Sequence, residues 1–345
     1  MKTKVIVFSA LLAIIIFNLL ACSPAPRIPV AGSARAQDML TLLPVETSAF
    51  LVIDWNRLMN LNLVKKSFEE ENLEPYRKKL EAFVNLKTDI YFVALAVAGD
   101  LKKAPENLLL LVNLKYNREK LIPVENESDS SLEYYNGIPY FPFVEIEESA
   151  IGCLAFLDDS NLAIGSEKAI KKAIEVYQGK QPNLLTSKEI KPYLKDINLK
   201  ALTYGLTKIP ADFFRPESQP DPYLKLIENT RLVSSFSDYR QGSYLTEIKI
   251  YSSDKKQHQK MAETLAGLKA LGLGLSGETP EIAQALNSLE ITASDRYVKV
   301  FISLEEELIE KLKKTLMTRT PEFRRQKEMS ELEKKFLERK TGKIN

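Results

Sequence analysis

The pattern of apolar and polar residues predicts an α+β protein, built from antiparallel sheets with helices packed on one face and arranged as two related units. Three observations carry this. Short apolar runs, among them Ile90 to Ala98 and Leu108 to Leu114, are bounded by turn residues such as Gly99-Asp100 and Pro105-Glu106-Asn107. Two pairs of runs meet at hairpin turns, Asn136-Gly137 and Asp158-Asp159-Ser160. Other segments carry apolar residues at helical spacing, as Ala169, Ile170, Ala173, Ile174 and Tyr177 do behind Ser166, which suits a helix cap. With 45% hydrophobic residues and 13 glycines in 345, the chain specifies a folded body and not a disordered stalk.

Taken in order, Lys2 and Lys4 precede an almost wholly apolar run from Val5 to Ala21, which ends in a small residue. That is the pattern of a secretory signal peptide. An uncleaved anchor is the competing reading, although 17 residues is the short limit for spanning a bilayer. Residues 22–37, rich in Pro, Ala and Ser, read as a tether, and the globule begins near Asp38. Ala49 to Trp55 reads as a buried strand, and about Leu58 to Asn85 as a charged helical region with a restart at Pro75. After the strands at 90–98 and 108–114 comes a hairpin over Glu133 to Phe143, pushed to a sheet edge by Pro139 and Pro142. A second hairpin covers Ile151 to Leu157 and Asn161 to Ile164. The capped helix closes at Gly179, a shorter helix runs near Ser187 to Leu194, and a strand follows at Ala201 to Leu206.

The segment RPESQPDP, residues 215–222, is the best internal boundary. It separates a first α+β domain, 38–214, from a second unit, 222–318. In the second unit Arg231 to Tyr239 and Ser243 to Tyr251 read as antiparallel strands. Lys255 to about Leu273 is an amphipathic helix with Met261, Leu265 and Leu268 on one face, and Pro280 to Leu289 is another helix. Val298, Val300, Ile302 and Leu304 alternate along a strand, and Glu305 to Leu316 is a final helix. A strand, polar junction, charged helix rhythm recurs in both units and suggests duplication. Residues 319–345 form a charged helix or tail; Thr318 to Asn345 holds nine basic and five acidic residues.

Composition excludes several functions. Of 48 basic residues, Lys2 and Lys4 go with the signal, which leaves 46 against 46 acidic ones. A chain without a basic surplus is a poor nucleic-acid binder. A single His, His258, excludes His-based triads and multi-imidazole metal sites. No cofactor is implied, and no catalytic or metal-ligating set is assigned. Gly272-Leu273-Gly274-Leu275-Ser276-Gly277 matches GxGxxG but follows a helix, so it reads as a helix end and not a dinucleotide loop. Ser276 has no positioned base. Asp158-Asp159 reads as a turn, Asp54 or Asn56 as a helix cap beside Trp55, and His258 as part of a solvated helix face. Glu145, Glu147 and Glu148 read as a solvated loop, and Cys153, in an apolar run, as a buried, inert thiol.

Two resemblances add to this. Leu19-Leu20-Ala21-Cys22 resembles the lipobox of bacterial lipoproteins. It implies cleavage before Cys22 and acylation of its sulfur, so that Cys22 becomes the membrane anchor. Ser23, in place of Asp, implies sorting to the outer membrane where one exists, and otherwise to the outer face of the only membrane. Leu43-Pro44-Val45-Glu46-Thr47, leading into the strand that ends at Asp54, and Asp158-Asp159 with Leu162-Ala163-Ile164-Gly165-Ser166, are similar to an uncharacterised family of bacterial extracytoplasmic proteins. That resemblance implies fold and exported location only. The expectation is a lipid-anchored envelope protein that acts by non-catalytic binding or assembly, with the membrane and an envelope protein as its partners. The alternatives are a carrier for an apolar ligand or lipid and a carboxylate-dependent hydrolase.

Overall fold

The computed structural model describes residues 28–68, 81, 84–118, 132–142, 145–146, 149–150, 152–210, 229–252, 255–277 and 279–319; for 66–68, 145–146, 149–150 and 316–319 this is backbone alone. Cys22, the linker 215–222, Glu147, Glu148 and the tail beyond residue 319 lie outside these residues, as do the side chains of Glu145 and Leu316.

The strands are β1 (Ala49–Asp54), β2 (Ile90–Val97), β3 (Leu108–Leu114), β4 (Glu133–Tyr135), β5 (Ile138–Phe141), β6 (Glu145–Ile146), β7 (Ser149–Ala150), β8 (Cys153–Phe156), β9 (Asn161–Gly165), β10 (Thr203–Lys208), β11 (Thr230–Arg240), β12 (Ser243–Ser252), β13 (Glu290–Ala293) and β14 (Val298–Glu305). The α-helices are α1 (Trp55–Met59), α2 (Asn62–Phe68), α3 (Ala104–Asn107), α4 (Glu167–Tyr177), α5 (Lys191–Leu194), α6 (Lys255–Leu275), α7 (Pro280–Asn287) and α8 (Glu306–Arg319). Twelve strands form one antiparallel sheet in the order β13-β14-β12-β11-β10-β1-β2-β3-β9-β8-β5-β4, and β6 and β7 pair separately. The fold is α+β.

Both spans of the chain feed this one sheet. β10 pairs with β1 on one side and with β11 on the other, from Thr203 opposite Ser237 to Lys208 opposite Leu232. Register then sorts the side chains into two faces. Phe50 and Val52 lie opposite Leu206 and Tyr204, and opposite Ala96 and Ala94, which in turn face Leu109 and Leu111. These residues form the main core with Met39 and Leu40 of the 3₁₀ helix at Ala36–Thr41, with Leu42 and Leu43 just after it, and with Ala169, Ile170, Ala173 and Ile174 of α4. The second unit packs its helix on the other face: Met261 and Ala262 of α6 meet Val298 and Ile250. Ile250 pairs with Val233, which shares its face with Thr207 and Ala49 and not with Phe50. The helices α4 and α6 therefore pack on opposite faces of the sheet.

Local chemistry explains the junctions. Asn136 and Gly137 adopt φ of 51° and 82°, as a tight hairpin turn requires. Pro139 sits in β5, opposite Tyr134 of the edge strand β4, so it is β4 that ends the sheet. Ser166 caps α4 by accepting from Ala169 N at 3.2 Å and donates to the Glu106 carbonyl at 2.5 Å. At Gly165 a Cβ would lie 2.2 Å from the Leu108 carbonyl oxygen, so β3 and β9 approach there only because no side chain intervenes. β13 is a strand that periodicity missed, since four residues are too few to show alternation.

Candidate functional site

On the face opposite the main core, Leu51, Leu95, Leu110, Ile164 and Leu154 follow one another in register across β1, β2, β3, β9 and β8. Strands spaced about 4.8 Å apart make this an apolar strip of roughly 19 Å. One flank is covered: Val93, Val112, Leu162 and Phe156 pack with Leu86, Leu114 and Phe141 in a second cluster, which Trp55 joins by donating from Nε1 to the Leu86 carbonyl at 2.7 Å. The strip itself is less covered. Leu51 and Leu95, directly opposite each other, are 38% and 42% exposed, and the other three are half-buried. It ends at Gly205 and Ser235, where the paired positions carry no large side chain. Completing the burial of Leu51 and Leu95 is worth about 1 kcal/mol each, given about 1.5–3 kcal/mol for a whole side chain.

α6 bears further apolar surface. Met261 is buried and Leu265 partly so, but Leu268, Leu271 and Leu275 are exposed, which corrects the inward placement of Leu268. A 21-residue helix runs about 31 Å, well beyond the four-residue β13 it touches. The helix ends at Leu275, within the GxGxxG motif, whose Ser276 and Gly277 form a turn. A Cβ at Gly272 would lie 3.0 Å from Leu286 Cδ1, so this glycine admits α7 and cradles no phosphate. Ser276 donates to the Leu273 carbonyl at 2.8 Å.

The polar candidates resolve into structural roles. Asp54 caps α1, accepting from Arg57 N at 3.0 Å; burial raises its carboxyl above the usual range. Asp158 accepts from Ser160 N at 2.7 Å and from Asn161 Nδ2 at 2.9 Å, holding the β8–β9 turn. Cys153 is buried, its Sγ 3.2 Å from the Pro142 carbonyl, and burial pushes the thiol up to about 11. His258 overturns its reading as a solvated group: it is 2% exposed. Its Nε2 accepts from Ser252 N at 3.2 Å and its Nδ1 lies 3.1 Å from the Ser294 carbonyl, so a ring carrying its proton on Nδ1 satisfies both. Its lysine-rich neighbours in sequence gave no sign of this, because the β13–β14 turn that buries it comes 36 residues later.

Sequence reasoning also missed an ionic clamp. Asp238, 3% exposed, accepts from Arg57 Nη2 and Arg240 Nε, each at 2.8 Å, and from Leu202 N at 3.3 Å. Burial pushes its carboxyl up, but the bonds from Arg240 and Arg57 outweigh that and hold it below the usual range. Asp196 makes a second such tie: it accepts from Arg296 Nη2 at 2.8 Å and from Tyr251 Oη at 3.3 Å. A cleft of about 330 Å³ lined by Glu46, Ser48, Asp100 and Lys208 opens elsewhere, with Glu46 bridged to Lys172 and Lys208 to Glu189. Among the described residues no three metal-ligating side chains cluster, and no helix is long and apolar enough to cross a membrane.

No family model matches the chain, and neither does any curated protein. Among solved structures it is similar to three crystal forms of TP0453. Form III gives a TM-score of 0.49 at 12% identity, covering 78% of this chain and 95% of that one. Form IV gives 0.44 at 14% identity with 78% and 94% covered, and form I gives 0.41 at 12% identity with 81% and 96% covered.

Proposed function

We propose that this is a lipid-anchored extracytoplasmic protein of the bacterial envelope that works by binding and not by catalysis. The observation that carries the reading is Leu19-Leu20-Ala21-Cys22 at the end of an apolar, positively led segment. Two or three acyl chains at about 0.8 kcal/mol per buried CH₂ hold a protein on a membrane where one does not. The described body supports attachment from outside the fold, since none of its helices is long and apolar enough to cross a bilayer. The buried carboxylates Asp38 and Asp238 are held by Arg35, and by Arg57 and Arg240, which leaves them ill-suited to acid–base work. Cells fed labelled palmitate should incorporate it into the wild type and not into Cys22→Ala; an unlabelled wild type would refute the reading.

A second reading, a carrier of an apolar ligand or lipid, is favoured by the strip at Leu51 and Leu95. Protein purified gently should then carry lipid in its native mass spectrum, and Leu95→Glu should remove it, because a carboxylate on the strip would have to be desolvated by the ligand.

A further inference from the structure

The segment read as a tether is docked to the body over much of its length. Pro29 is buried, and its carbonyl accepts from Asn161 Nδ2 at 2.7 Å. Asn161 is itself 1% exposed, and its Oδ1 accepts from Asn113 Nδ2 at 3.0 Å. Beyond this clasp, the Val30 carbonyl accepts from Ser33 N and Ala34 N, Arg35 pairs with Asp38 at 2.6 Å, and Tyr204 donates to the Ala36 carbonyl at 2.8 Å. The chain thus joins the folded body at Pro29, beside the β8–β9 turn. Only residues 23–28 separate that point from Cys22.

Seven Cα steps span at most about 25 Å. A twelve-stranded sheet with strands about 4.8 Å apart is roughly 50 Å across. A leash half as long as the body is wide restricts which part of it can meet the membrane; a leash free to Asp38 would reach about 50 Å and impose no such limit. We propose that the β8–β9 turn is the membrane-proximal pole of the protein, that its partner is a phospholipid headgroup surface, and that the Asn113–Asn161–Pro29 clasp sets the orientation by shortening the leash. This rests on the lipid-anchored reading of Cys22.

The test uses the full-length acylated protein on vesicles of phosphatidylethanolamine and phosphatidylglycerol that carry a nitroxide quencher at the headgroup. A fluorophore is placed through Asp159→Cys, on the exposed β8–β9 turn, or through Lys103→Cys, exposed at the other end of β3 and so about 20 Å away. Buried Cys153 stays unlabelled. Quenching several-fold stronger at position 159 than at 103 is expected. Asn161→Ala should release the segment back to Ala36, double the leash and erase the difference. Since that variant can also disturb the hairpin, ten Gly/Ser residues inserted between Ser23 and Ile28 give the same test without touching the body. Vesicle-bound protein quenched equally at both positions, or unaffected by the insertion, overturns the orientation alone. Wild type that fails to sediment with vesicles overturns the anchor, and the orientation with it.

Discussion

Asp238 shows how much of this protein depends on single polar residues that periodicity cannot rank. It lies near the end of β11 and ties Arg57 of α1 to Arg240 and to Leu202 N, so one carboxylate joins α1, the residue before β10, and β11. Asp238→Asn should cost about 2 kcal/mol, the scale of a charge-assisted hydrogen bond lost from a buried site, read from denaturant midpoints. Its lowered carboxyl adds stability that is present above the unfolded value near pH 4 and is lost as pH falls through the folded value. Asp54, raised by burial, acts in the opposite sense, gaining stability as pH falls. The variant should therefore show a flatter acid limb than the wild type. At Cys153 the sign reverses: with the folded thiol up at about 11, stability falls as pH rises from the ordinary thiol value toward 11. A thiol reagent at pH 8 should leave it unmodified until the protein unfolds. The burial of Cys153 was legible because its neighbours in sequence are apolar. That of His258 was not, because Ser252 and Ser294 reach it through folding.

At the scale of elements, the run Ile164-Gly165-Ser166 has a structural explanation. Gly165 admits the Leu108 carbonyl and Ser166 caps α4. Ser166→Ala should cost about 1 kcal/mol, the usual worth of a cap. Gly165→Ala should cost more, because the clash is with backbone that cannot rotate away; thermal midpoints of the two variants check the order. Hairpins, capped helix and alternating strands were readable because each is encoded within a dozen residues. One element departed from its reading: the short helix expected near 187–194 is only α5, Lys191–Leu194, preceded by a 3₁₀ turn at Leu184–Thr186.

For the whole molecule, the β10–β11 pairing decides how the chain behaves as a unit. Six residue pairs and the Asp238 clamp join the two spans across it. Trp55, the one tryptophan, belongs to the first span, whereas circular dichroism reports on both. Unfolding followed by Trp55 fluorescence and by circular dichroism should coincide in a single transition. An early dichroism change with fluorescence unmoved would show that the second span unfolds alone.

By itself the sequence determined the fold class and most strand and helix positions, because each is written in contiguous residues as period, cap or turn. Only the tertiary structure decided that both spans share one sheet, that α4 and α6 pack on opposite faces of it, that a leucine strip is left open, and that Asn161 holds Pro29. These depend on residues brought together from up to 181 positions apart, as Arg57 and Asp238 are. Such pairings come from the order of strands far apart in the chain, which no local pattern encodes.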